Sequence, residues 1–258
     1  MDSLAIEAAR QSFLAAGPGA ASDGVRPEIV ASWQRSWRHD VDVDRMTARF
    51  VGHATPSPVV ECAEDVFDDF FKINADADVS LIMVDTASVV RVRRDGQGPL
   101  ARLLDLVLLI PGYEYAEGAV GTTAAAVALH ENSDFVVCGP EHYHHRLRYL
   151  SEAAALVPDP RGEMACGVVM VIGGQADQAA LWLPLARLLA QQIADRMAGG
   201  TYRRSLAILD RFGRCCGQDA HWVLATDGDW VTSNAAAPAR TCRSARAERL
   251  GPGRPEPA

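Results

Sequence analysis

The sequence predicts an α+β fold in which helices pack on an antiparallel sheet. Three observations predict it. Residues 79–94 hold two apolar segments around a turn and read as a β-hairpin. Residues 153–157 and 164–172 form a second pair, joined by Pro158-Asp159-Pro160-Arg161-Gly162. Stretches with helical spacing stand before, between and after these pairs. The chain has 258 residues, 48% of them hydrophobic and 22% charged, so it can bury a core as one large domain or two small ones.

The elements follow in order. Residues 1–16 read as a short helix with Leu4, Ile6, Phe13 and Leu14 apolar, broken by Gly17-Pro18-Gly19. A second helix spans 27–39, with Pro27 suited to a first turn. Ile29, Trp33 and Trp37 share one face of it, and Arg35 and Arg38 point elsewhere. Residues 40–55 are a polar connector. Ser57 is placed to cap a helix from Pro58, whose apolar face holds Val59, Val60, Val66, Phe67, Phe70 and Phe71. Asp65, Asp68 and Asp69 lie away from those phenylalanines and read as a solvated face.

Residues 79–84 form an apolar run expected as a buried strand. In residues 89–94 Val90 and Val92 alternate with Arg91 and Arg93, the pattern of a half-exposed strand. A helix is expected at 100–110, a loop at 111–121, and a small-residue helix at 122–130 with Thr122 as candidate cap. A short strand covers 135–138. Residues 141–150 read as helical or irregular and carry three histidines. From 178 to about 212 the pattern is one long helix, with Pro184 expected to set its start or kink it and Gly199-Gly200 to break or kink it. Residues 221–234 read as two strands around Asp227-Gly228. The Arg- and Pro-rich end lacks apolar periodicity and is expected to be disordered.

Several function classes are excluded or demoted. A net charge of −8 argues against a large generic nucleic-acid surface. Lys72 is the only lysine and sits in Phe-Lys-Ile, so a Walker A phosphate loop is ruled out. The six cysteines form no CxxC pair and no zinc spacing, so no metal and no cofactor is expected. Apolar runs such as 103–110 are too short to span a bilayer, and residues 1–20 lack a signal pattern, so a cytoplasmic chain with no membrane partner is expected.

Four strings carry a family resemblance. Residues 25–36 (Val-Arg-Pro-Glu-Ile-Val-Ala-Ser-Trp-Gln-Arg-Ser) resemble the "RPEI-x-x-SW-x-RS" helix of acetoin-catabolism-type bacterial transcriptional activators. Residues 111–123 (Pro-Gly-Tyr-Glu-Tyr-Ala-Glu-Gly-Ala-Val-Gly-Thr-Thr) are similar to the "PG-x-x-W-x-E-x-x-VGTNA" loop of their GAF sensor domain. Gly139-Pro140-Glu141-His142-Tyr143 matches "G-x-EHY/F", and Asp159-Pro160-Arg161-Gly162 with Gly167-Val168-Val169-Met170 resembles the closing hairpin. The family's "WTC-x-A-x-P" is replaced by Leu150–Val157 residues without Cys or Pro, Tyr115 replaces Trp, and Thr123 replaces Asn.

The resemblance implies a GAF-like sheet flanked by helices, and an organisation in five parts. These are an N-terminal helical region (1–55), a sensor domain (56–176), an exit helix (177–216), the start of an incomplete PAS-like segment (217–238) and a tail (239–258). It implies a sensor of a small organic effector, not an enzyme. The exit helix would transmit the signal and form a homodimer contact. DNA would be reached only indirectly, through the sigma-54-type ATPase and Fis-type domains that this sequence does not contain.

The candidate effector residues are Tyr113, Tyr115, Glu117, Gly121 and Thr122 in the loop, with Cys138 and His142 beside it. The tyrosines offer apolar rings with polar handles, Glu117 can orient a polar group, and a helix start can receive an anion. His142, His144 and His145 read as exposed polar residues, since no partner stands at a zinc spacing. A GAF-type cysteine-dependent small-molecule reductase is the alternative, with Cys138 and Cys166 as its pair. A stripe of Arg240, Arg243, Arg246 and Arg249 would contact phosphates if the tail were helical.

Overall fold

The computed structural model describes residues 3–53, 57–160, 162, 164–174, 179–216, 224–226 and 231–233. Residues 1–197 and 198–258 are separate compact units.

The valine- and alanine-rich segments of the first unit build one five-stranded sheet. Its strands are β2 (Ser80–Val84), β3 (Val90–Asp95), β5 (Phe135–Cys138), β6 (Ser151–Pro158) and β7 (Ala165–Gly173). Their order is β3-β2-β7-β6-β5, and every neighbouring pair is antiparallel. Both faces are covered, which explains why the strands read as unbroken apolar runs. Leu81, Met83, Ala153, Ala155, Val169 and Val171 face one core, while Ile82, Val84, Ala154, Val168, Met170 and Ile172 face the other. A bulge pairs Met83 with Val92 and Val84 with Val90. It sends Val90 and Val92 into opposite cores although they are two residues apart.

One face is closed by α3 (Pro58–Ile73) and α7 (Ala179–Cys216). Ala63, Val66 and Phe67 from α3 meet Trp182, Ala186, Leu189, Ala190 and Ile193 from α7 over the strands. The Trp182 ring lies directly over Gly173, where a Cβ would stand 2.3 Å from it. Asp65, Asp68 and Asp69 are exposed on α3, and Asp68 and Asp69 pair with Arg94, Lys72 and Arg196.

The other face is closed by α1 (Ser3–Ala16), α2 (Pro27–Arg38), α4 (Leu100–Leu106), α5 (Glu117–Val120) and α6 (Ala124–Glu131). Phe13 packs on Trp33 at a ring separation of 5.6 Å, and Ile29 and Trp33 are fully buried. Trp37 is 37% exposed at the edge of this face. The N-terminal helices thus share a core with the sheet.

Several expected boundaries move. Ser57 makes no side-chain cap, and Thr123 rather than Thr122 caps α6 by accepting from the Ala126 N–H. The helix expected at 100–110 ends at Leu106, because Leu108 turns to φ +58°. Residues 141–150 are irregular apart from a short 3₁₀ turn at Gly139–Glu141. The connector at 40–55 contains β1 (Arg49–Phe50), which pairs with β4 (Tyr113–Glu114). Beside it, Gly112 N–H donates to Val90 O and Tyr115 N–H to Ser88 O, so the 110–115 loop covers the open edge of β3. Pro184, Gly199 and Gly200 all lie inside α7, so the helix neither starts at the proline nor ends at the glycines.

In the second unit, β8 (Leu224–Thr226) and β9 (Val231–Ser233) form an antiparallel pair, Ala225 opposite Thr232. The expected Asp227-Gly228 turn and the arginine tail lie outside the described residues. Among the described residues no helix is long and apolar enough to cross a membrane.

Candidate functional site

The face closed by α1 and α2 buries charge. Glu117, at the first turn of α5, receives both arms of Arg35: Nε to Oε2 at 2.5 Å and Nη2 to Oε1 at 3.1 Å. Its Oε1 also accepts the Ser32 hydroxyl, whose oxygen lies 2.7 Å from Thr122 Oγ1. A bidentate guanidinium–carboxylate pair fixes orientation as well as distance. It pins the 111–122 loop to α2.

A second pair lies one segment away. Arg26 donates to Glu141 through Nε at 2.9 Å and Nη2 at 2.7 Å, and its guanidinium stacks over Phe135 at 4.5 Å. Glu141 also accepts the Cys138 N–H at 2.9 Å, and its carbonyl takes the Trp33 indole N–H at 2.8 Å. A third tie comes from α1. Arg10 is fully buried and donates to the carbonyls of His142 at 2.8 Å and Tyr143 at 2.6 Å. Burial pulls its guanidinium below the usual arginine value.

Beneath these ties lies a deeper polar layer. Glu152 projects from β6 into the same core as Ala154, and its Oε2 accepts the Ala124 N–H that opens α6, at 2.8 Å. His142 Nε2 stands 3.5 Å from the other Glu152 oxygen, with both side chains fully buried. The Tyr115 hydroxyl donates to Val107 O at 2.6 Å. Burial, with Glu152 nearby, pushes that phenol well above its usual value. Gly121 has φ +80°, and a Cβ there would meet Tyr143 Cβ at 2.8 Å, so glycine lets the loop seat on the 139–145 segment.

The structure brings most of the expected residues into this layer. Glu117 and Thr122 meet through Ser32, Tyr115 and His142 are buried, and Gly121 abuts the residue after His142. Tyr113 stands apart, packed on Phe50 at 5.5 Å in the β1–β4 ladder. Cys138 ends β5, and burial pushes its thiol above the usual value.

Arg35, expected off the tryptophan face, holds Glu117. Two expectations are corrected. His142 and His144 are fully buried rather than exposed, because the 139–147 segment folds under α1. Burial lowers the His144 imidazole to about 4. Cys138 and Cys166 do not share a pocket. Cys138 aligns through Ser151 with Gly173, and Cys166 lies seven residues back along β7, roughly 20 Å away at about 3.3 Å per residue. Sequence reasoning missed Arg10, Arg26, Ser32 and Glu152 as members of the layer. Glu152 left a signal, since it has the parity of Ala154 and Leu156 in the strand. Among the described residues no cluster of three His, Cys, Asp or Glu is placed to hold a metal.

Residues 3–195 match the family model described as "MimR, N-terminal domain". The chain belongs to the MimR N-terminal domain family. The propane 2-monooxygenase operon transcriptional activator MimR of Mycolicibacterium goodii is 30% identical over 233 residues, 90% of this chain and 40% of that protein. Its counterpart in Mycolicibacterium smegmatis is 29% identical over 227 residues, 88% of this chain and 39% of that protein. The chain therefore spans about two fifths of the length of these MimR relatives. They are named as transcriptional activators, not as enzymes. A chain of the E. coli DhaR(N)–DhaL complex superposes with a TM-score of 0.63 at 17% identity, covering 84% of this chain and 76% of that one. It has the same fold, the helix-flanked antiparallel sheet expected of a GAF-like domain.

Proposed function

We propose that this MimR-type domain is the effector-sensing region of a bacterial transcription activator, of the GAF type. A small organic molecule binds beneath the 111–122 loop, and α7 passes the change onward. The family match over residues 3–195 carries this reading. The buried layer supports it: an apolar shell with a few fixed polar anchors is the composition of a small-molecule site. Tyr115, Glu117, Thr122 and His142 supply those anchors, with Gly121 letting the loop close. Tyr113, in the β1–β4 ladder, and Cys138, packed toward the α3–α7 core, stand outside that layer. Because α2 grips Glu117, a molecule that displaces the loop also moves α2. A ligand shifts such an equilibrium only through unequal affinity for the two arrangements. Leu181 and Leu188 are exposed on α7 and suit it to a homodimer contact. DNA is reached through regions beyond this sensor.

Thermal-shift screening of the chain against small organic compounds, beginning with propane because the relatives' operon is named for its oxidation, tests the reading. A true effector raises Tm in a saturable way, by an amount equivalent to about 2.7 kcal/mol at a hundredfold excess over Kd. Thr122→Val weakens that shift. A panel in which no compound stabilises the chain overturns the reading.

A further inference from the structure

Hydrogen-bond accounting at His142 and Glu152 does not close with ordinary protonation states. His142 Nδ1 lies 2.9 Å from the carbonyl oxygen of Gly139. A carbonyl only accepts, so Nδ1 carries the hydrogen. In a neutral imidazole Nε2 is then a bare acceptor. Nε2 faces Glu152 Oε1 at 3.5 Å, and an ionised carboxylate also only accepts. Both atoms are buried, and neither has a hydrogen-bond partner among the described residues. Two acceptors facing each other in the core are unfavourable twice over, through repulsion and through lost hydration.

We infer that one proton resides between His142 Nε2 and Glu152 Oε1 at neutral pH, making the pair an imidazolium–carboxylate latch between the 139–145 segment and the start of α6. The Ala124 N–H at the positive end of α6 favours the ionised form of Glu152. The Gly139 carbonyl favours a ring protonated at both nitrogens. The surrounding titratable groups already have partners of their own. Arg10 from α1 binds the His142 and Tyr143 carbonyls and His145 Nδ1; Glu141 binds Arg26; the Tyr115 hydroxyl donates to Val107 O. Cys138 on β5 is a half-buried thiol with Glu141 and Glu152 nearby.

The consequence is a pH-sensitive tie. Glu152 fixes the start of α6, and His142 lies on the segment that Arg10 anchors to α1. Loss of the shared proton sets acceptor against acceptor and loosens the segment that joins α1 to the sheet. This inference does not depend on the identity of any effector.

The test is ¹⁵N-imidazole NMR of the unmutated chain at neutral pH, with His142→Asn assigning the resonance among the seven histidines. The expected result is one ring protonated at both nitrogens. In Glu152→Gln the side-chain amide can donate to Nε2, so His142 is expected to become the neutral Nδ1–H form with the fold kept. The unmutated Tm is expected to fall relative to Glu152→Gln as pH rises, since a proton held by the folded state is a stabilisation lost when it leaves. A neutral His142 ring in the unmutated chain, or parallel Tm profiles for the two proteins, overturns the inference. The NMR reading on the unmutated chain stands whether or not a variant folds.

Discussion

On one face of the sheet Phe67, Trp182, Leu189 and Ile193 pack with the strands in an apolar cluster. On the other, Arg10, Glu117, Glu141, His142 and Glu152 are buried or nearly so among an equally apolar shell, each tied to a group far away in sequence. The apolar face gains stability from area and close packing, which are non-directional and tolerant of small shifts. The polar face depends on geometry, and each misplaced partner leaves a buried group unpaired. A layer of that kind suits two arrangements better than a continuous slide. The proposed sensing role therefore suits the α1–α2 face, and a scaffold role suits the α3–α7 face.

The comparison can be broken from either side. The largest effect belongs to the scaffold. Phe67→Ala should cost about 3–5 kcal/mol by chemical denaturation, the usual penalty for a cavity in a sealed core. A loss under about 1 kcal/mol would mean that this face is not the packed one. Next comes Arg10→Met, which strands the His142 and Tyr143 carbonyls. It should cost about 2–3 kcal/mol and speed proteolysis in the 17–26 connection, since α1 loses its anchor. Unchanged cleavage there would remove α1 from the sensing layer.

His144 sharpens the comparison through pH. Its imidazole is lowered by burial from 6.5 to about 4, so the folded state resists taking the proton that the unfolded chain accepts. The neutral form contributes stability above about pH 6.5, and that contribution is lost as pH falls toward 4. His144→Gln should flatten the acid limb of the stability curve by roughly 1–3 kcal/mol. This runs opposite to the His142–Glu152 latch, which weakens as pH rises. The smallest effect is the coupling of Arg35 to Glu117. A double-mutant cycle with Arg35→Met and Glu117→Gln should return about 1–2 kcal/mol, more than an exposed ion pair gives because both side chains are largely covered. A coupling near zero would mean that the loop is not held by α2.

The five strands of the main sheet were legible because each alternates or runs apolar over a length that suits a sheet, and the bulge at Val84–Val90 is a local departure. The loop residues were legible because their order resembles that of a sensor family. The histidines were misread because nothing adjacent to residues 142–145 reveals that α1 covers them. Arg35 was missed as a member of the layer for a related reason. Helical spacing placed it off the tryptophan face, yet its length lets the guanidinium reach round to Glu117.

By itself the sequence determined the element types, the alternation that gives the sheet two buried faces, and the order of segments that marks the family. These are local properties, set by side-chain period, turn chemistry and composition within a few residues. The tertiary structure alone decided which charges are buried and with whom. Arg10 finds the His142 carbonyl and Ser32 finds Glu117 across most of the domain, and Glu152 becomes a helix cap only once α6 lies over β6. A buried polar group is tolerable only with its partner in place. Such pairings exist in three dimensions and leave no periodic trace in one.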